Sequence, residues 1–213
     1  MDPIPSAAQP PREMSSTRLE AFSDGVLAVI ITIMVLELRP PHGPDPAALK
    51  PLLPSLLSYV LSFVFIGIYW SNHHHLFQLV GRVDGGILWA NLHLLFWLSL
   101  VPFVNAWVGD YHEASWPTAL YGCVFLGAAI AYTILAYALI ARHGPDSTLA
   151  RALGADLKGK TSLLLYAASI GLAFVRPWIA QAIFVLVALI WLIPDRRIER
   201  VLASEQNPAR SVD

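Results

Sequence analysis

Arg18-Leu19-Glu20-Ala21-Phe22-Ser23-Asp24-Gly25-Val26-Leu27-Ala28-Val29-Ile30-Ile31-Thr32-Ile33-Met34-Val35-Leu36-Glu37-Leu38 is long enough to decide the fold by itself before Arg39-Pro40-Pro41 ends it. A helix rises about 1.5 Å per residue, so about 20 residues cross the roughly 30 Å of bilayer hydrocarbon. Prolines at 40 and 41 have no backbone N–H to extend such a helix. Thr17-Arg18-Leu19-Glu20 has the spacing of a capping box and predicts a start at Thr17. Asp24 then falls two turns in, where a carboxylate is costly unless paired or wetted. Arg18 is six residues away, outside the i, i+4 reach of one helix, so the expected partner of Asp24 is on another helix.

Outward from this stretch the pattern repeats. Apolar segments run over 52–79, 87–108, 116–141, 160–175 and 177–193. Pro54 is tolerable in a first turn, Pro102 predicts a kink, and His143-Gly144-Pro145 closes the fourth segment. The last two segments, separated by little more than Arg176-Pro177, predict a tight antiparallel hairpin. Strand alternation is absent and lipid tolerates no unpaired backbone, so the expected fold is an all-α membrane protein with six transmembrane helices. Composition agrees: 213 residues that are 56% hydrophobic and 14% charged, with a mean hydropathy of +0.56, leave too little polar surface for a soluble body. A net charge of -1 gives no support to a nucleic-acid partner. Cys123, the single cysteine, excludes an internal disulfide and a thiolate zinc site and reads as a small buried hydrophobe.

Residues 1–16, with four prolines, read as a flexible tail and not as a signal peptide; 17–194 form the membrane domain and 195–213 a second tail. Arg12, Arg18, Arg82, Arg142, Arg151, Lys158, Lys160, Arg196, Arg197, Arg200 and Arg210 would share one side, against Arg39, Lys50 and Arg176 on the other. The positive-inside rule then puts both termini in the cytoplasm.

Two further patterns carry chemistry. Asn72-His73-His74-His75 ends the second segment, and at 100° per residue the three rings cannot share one small site. The triplet lacks the same-face spacing of a zinc site, so hydrogen bonding between helices is expected, with Asn91 and His93 of the third segment as possible members of the cluster. In the first segment, Gly25, Val29, Thr32 or Ile33, and Leu36 form one apolar stripe with a single hydroxyl. Periodicity alone reads it as core packing.

The string Arg18-Leu-Glu-Ala-Phe22-Ser23-Asp24 resembles the R-x-x-x-F-S-D signature of the transmembrane protein 175 family, cation channels of endosomes and lysosomes with bacterial relatives. Tyr69-Trp70-Ser71-Asn72-His73-His74-His75-Leu76-Phe77 is similar to the family's histidine-bearing second helix, and Asn91 to Phe103 resembles its third. The resemblance is strong over the first half of the chain and rests on helix count beyond it. It implies one six-helix repeat per subunit, assembly as a homotetramer, and first helices around a central pore closed by bulky aliphatic side chains. The family's constriction falls on Val29, with Ile33 and Leu36 as further candidates, and the threonine linked to potassium preference on Thr32. Arg18, Phe22, Ser23 and Asp24 would hold the first helix against histidine and asparagine of its neighbours, with His74 or His75 as the family histidine.

The expected function is therefore a potassium-permeable cation channel in a prokaryotic cell membrane, with a hydrophobic gate, lipid and its own copies as partners, and no cofactor or metal besides the permeant ion. A carbonyl filter such as T-V-G-Y-G and an arginine-repeat helix are both absent from the sequence, which predicts modest selectivity and no gating charges. The main rival is a proton-coupled or metal-ion transporter in which Asp24 and the histidines titrate. An intramembrane enzyme would need a nucleophile and base on facing helices, and Asp24, His74 and Ser99 are scattered single candidates.

Overall fold

A computed structural model describes residues 14–145, 147–154 and 156–193. The tails before residue 14 and after residue 193 lie outside the described residues. Helix α1 is Ser16–Leu36; a 3₁₀ segment, Pro46–Leu52, leads into α2, Leu53–Gln78. The third segment is split into α3, Gly85–Ser99, and α4, Val101–Asp110, followed by α5, Ser115–His143. A short α6, Thr148–Leu153, precedes α7, Leu157–Ala173, and α8, Pro177–Leu192. Among the described residues, helices cover the apolar segments of the sequence, with α3 and α4 together forming one bent segment. Ser16–Leu36, Pro46–Gln78, Gly85–Asp110 and Ser115–His143 are long and apolar enough to cross a membrane, while α8 is a shorter apolar helix.

The bend comes from Pro102, which supplies no N–H to the helix before it. Leu100 ends α3 and begins α4, its N–H turning to the Trp97 carbonyl at 3.2 Å. Chain ends are tied by local chemistry. The Asp84 carboxylate caps α3 by accepting from Ile87 N–H at 3.0 Å and meets Arg142 Nε of α5 at 3.5 Å. Between α5 and α7, Ser147 caps the short α6. Beside the start of α1 of this helical fold, Met14–Ser15 pairs antiparallel with Arg82–Val83 over two residues.

Helix α5 is the spine, packed on α3, α4, α7 and α8, while α1 lies against α2, α3 and α4. Aromatic rings fill the centre: Phe65 and Tyr121 lie 4.5 and 4.9 Å from Phe125, and Phe184 lies 5.0 Å from Tyr121. Small residues let the backbones approach, as membrane helix pairs require. Gly109 sits so close to α2 that a Cβ would come within 3.0 Å of Ser55 Cα, and at Gly127 it would overlap the Trp97 indole. Cys123 is only partly buried, because its side of α5 is not fully covered.

Candidate functional site

The predicted site gathers on α1, which has two unlike faces. Ser16, Leu19, Ser23, Leu27, Ile30 and Met34 are buried, spaced three or four apart on the face toward the subunit. About half a turn away, Phe22, Gly25, Val29, Thr32, Ile33 and Leu36 are exposed, on an arc of roughly 100° at 100° per residue. Val29 is 55%, Ile33 42% and Leu36 81% exposed. The stripe is therefore not core packing within the subunit, contrary to the reading from periodicity alone. Arg18 is exposed as well, and helical phase places it on the same stripe toward the N-terminus.

Behind the stripe a buried relay joins three helices. Ser23 Oγ donates to the Leu19 carbonyl at 2.9 Å, Asn91 Nδ2 donates to Ser23 Oγ at 2.9 Å, and Asn91 Oδ1 meets His73 Nε2 at 2.7 Å. Each bond fixes the next. A carbonyl only accepts, so the Ser23 proton points to Leu19 and its oxygen accepts from the asparagine amide. That leaves the asparagine oxygen toward His73, which must donate through Nε2–H. His73 Nδ1 is then a bare lone pair, buried and without a partner among the described residues. The ring also packs 4.5 Å from Phe77. Ser23 and Asn91 are 0% and His73 1% exposed, so the relay is internal structure and not a water path.

A second ladder runs along the seam between α1 and α2. Trp70 Nε1 donates to Asp24 Oδ1 at 3.0 Å, and His74 Nδ1 lies 2.6 Å from Glu20 Oε1. Gln78 Nε2 donates to His74 Nε2 at 2.8 Å, so His74 carries its proton on Nδ1 and gives it to Glu20. The Trp70 indole stacks on the His74 ring with centroids 6.0 Å apart. Residues ascending α1 meet residues descending α2, the signature of an antiparallel pair.

Several expectations change against this geometry. Asp24 does find its partner on a second helix, but the partner is the Trp70 indole and not a histidine. The capping box does not form: α1 begins at Ser16 with no side-chain cap, and Glu20 turns to His74 instead. Of the signature residues, Ser23 and Asp24 reach neighbouring helices, whereas Arg18 and Phe22 lie on the uncovered face. His93 does not join Asn91, because it accepts from Trp97 Nε1 one turn along its own helix at 3.0 Å. His75 only approaches the His74 ring, with centroids 6.2 Å apart. The buried histidine is His73, which sequence reasoning passed over. Its signal was helical phase: Ser62, Ile66, His73 and Phe77 fall on one line of α2 at spacings of four, seven and four. Among the described residues no group of three His, Cys, Asp or Glu side chains could hold a metal ion.

Residues 18–102, which contain the stripe, the relay and the ladder, match the family described as endosomal/lysosomal potassium channel TMEM175. A protein named as a potassium channel in Chryseobacterium sp. (strain P1-3) is 54% identical over 189 residues, 89% of this chain and 98% of that one. The crystal structure of a lysosomal potassium-selective channel TMEM175 homolog from Chamaesiphon minutus is similar with a TM-score of 0.72 and 30% identity, over 84% of this chain and 96% of that one. The human endosomal/lysosomal proton channel TMEM175 is 37% identical over 81 residues, 32% of this chain and 16% of that protein. On these grounds the chain belongs to the TMEM175 family of potassium channels, and it is an integral membrane protein and not an enzyme.

Proposed function

We propose that four copies of this chain assemble around their α1 helices as a potassium-permeable cation channel of a prokaryotic cell membrane. Each subunit contributes six membrane-crossing helices, with both termini cytoplasmic. The observation that carries this reading is the division of α1 into a packed face and an uncovered stripe of Val29, Thr32, Ile33 and Leu36. Four such stripes around an axis enclose a narrow apolar tube that opens and closes to ions by how readily water enters it. Thr32 adds the polar ring. Its Oγ1 donates to the Val29 carbonyl at 2.8 Å, which occupies the proton and leaves the oxygen lone pairs for a partly dehydrated cation. Oxygen dipoles of this kind, without a carbonyl filter, give modest preference for potassium over sodium.

The rival transporter would route protons through Asp24 and the second-helix histidines. Asp24 and Glu20 are instead bonded to Trp70 and His74 off the uncovered stripe, as positioning contacts between α1 and α2. Purified protein in liposomes, with potassium and proton fluxes followed together, tests the choice. Passive potassium flux without a stoichiometric proton counterflow is expected, and native mass spectrometry of the same sample should give a tetramer. Obligate exchange of protons for cations, or a monomer that conducts, would overturn the reading.

A further inference from the structure

A second polar region lies away from α1, where α2, α5, α7 and α8 leave a cavity of ≈ 490 Å³, its open mouth included. Its wall carries Phe65, Tyr69, Tyr132, Tyr166 and Trp191. Phe65 and Tyr166 are buried at the back of this wall, whereas Tyr69, Tyr132 and Trp191 are only partly covered, Tyr69 and Tyr132 meeting edge-on at 6.2 Å and 70°. At the start of α7 stands Asp156, which also lines the cavity.

Several side-chain donors on this wall are already committed to the protein, while the Tyr69 and Tyr166 hydroxyls make no hydrogen bond among the described residues. Asn72 Nδ2 donates to the Ile68 carbonyl at 2.8 Å, Thr133 Oγ1 to Ala129 at 2.8 Å and Ser162 Oγ to Lys158 at 2.8 Å. Trp191 Nε1 donates to Ser162 Oγ at 2.8 Å, which also fixes the indole in the wall. What remains for a guest is the partly open rings of Tyr69, Tyr132 and Trp191, the Tyr69 and Tyr166 hydroxyls, oxygen lone pairs and one carboxylate. Asp156 uses Oδ1 to accept from Gly159 N–H at 3.1 Å, and among the described residues no cation forms an ion pair with it. Lys158, two residues on, reaches instead to the Ile193 carbonyl at 2.8 Å. Asp156 is also the sole non-glycine described residue with positive φ, at 41°, a conformation that turns the backbone at the cavity rim.

We infer that this cavity binds an organic ammonium group, with its aromatic rings around the alkylated nitrogen and the Asp156 carboxylate as counter-charge. Aromatic walls attract soft, weakly hydrated cations of this type. An anion would meet the Asp156 carboxylate. The ammonium could belong to a soluble amine or to the headgroup of a zwitterionic lipid, and the chemistry of recognition is the same.

The test is choline binding to the full-length protein in phosphatidylglycerol nanodiscs, by calorimetry, beside the neutral isostere 3,3-dimethyl-1-butanol. Choline should bind with a Kd on the order of millimolar or tighter, and the isostere at least about tenfold more weakly. Asp156→Asn should weaken choline about tenfold; asparagine caps a helix as well as aspartate and tolerates positive φ, so the fold is kept. Replacing part of the lipid with phosphatidylcholine assigns the source: a fall in apparent choline affinity identifies the lipid headgroup, and an unchanged value a soluble amine. No choline binding, equal binding of the isostere, or binding undiminished in Asp156→Asn overturns the proposal. The comparison of choline with its isostere needs no variant, so the proposal stays testable if Asp156→Asn does not fold.

Discussion

Replacing Asn91 by leucine interrogates the relay at its centre. Leucine has nearly the same length and branching, so the change removes hydrogen bonds while leaving little cavity. Two bonds vanish, to Ser23 Oγ at 2.9 Å and from His73 Nε2 at 2.7 Å. Their costs differ. Ser23 keeps its own donor bond to Leu19, so it loses only an acceptor contact, worth about 0.5–1.5 kcal/mol. His73 is left with a buried N–H and nowhere to turn, since Nδ1 is already unpartnered, and a stranded buried donor costs about 1–3 kcal/mol. Together they predict a loss of about 1.5–4.5 kcal/mol, well above the roughly 0.6 kcal/mol average for polar contacts between membrane helices. The companion His73→Phe keeps the ring packing on Phe77 and deletes the orphaned nitrogen, so in the Asn91→Leu background it should recover part of the loss. Reversible unfolding in mixed micelles, run as a double-mutant cycle, reads both numbers. An Asn91→Leu variant within about 0.5 kcal/mol of the parent, or no recovery in the double variant, would refute the claim that the relay holds α1, α2 and α3 together.

Gly127→Ala should cost about 1–3 kcal/mol or misassemble the bundle, because its Cβ would overlap the Trp97 indole; Gly171→Ala, with open space around it, should be neutral or slightly stabilising in the same thermal-shift assay. Asp24→Ala should lower stability by only about 1 kcal/mol, because its partner Trp70 is half exposed and water can replace the bond; a loss of 3 kcal/mol or more in unfolding titrations would show that Asp24 is sequestered in the assembled channel. Val29→Asn and Ile33→Asn should each raise potassium leak in liposome flux by wetting the apolar stripe, and unchanged flux in both would remove them from the constriction.

Much of this architecture was legible because bilayer thickness fixes helix length and lipid forbids unpaired backbone. The break near Pro102, the end at Pro40 and the hairpin at Pro177 follow from the missing proline N–H. The site was legible in parts. A stripe at Gly25, Val29, Thr32, Ile33 and Leu36 can be read from periodicity, but whether it is covered depends on where α2 to α4 lie, and residue spacing on α1 does not carry that. Partner choice was the least legible element. Glu20 had a local role available in a capping box and a distant one with His74, and the distant one won because packing α1 antiparallel on α2 brings the two side chains together. Likewise the buried histidine was set by the phase of α2, with Ile66 and Phe77 turning His73 inward and leaving His74 on the seam.

The central claim, that the uncovered face of α1 meets water and ions, is tested most directly by cysteine accessibility. In a Cys123→Ala background, Val29→Cys, Thr32→Cys, Ile33→Cys and Leu36→Cys would be treated in liposomes with a charged, membrane-impermeant thiol reagent while potassium flux is followed. The account predicts that modification blocks flux at two or more of these positions, while Leu186→Cys, exposed on α8, stays silent. Flux unaffected at all four positions would place the stripe in lipid and contradict it.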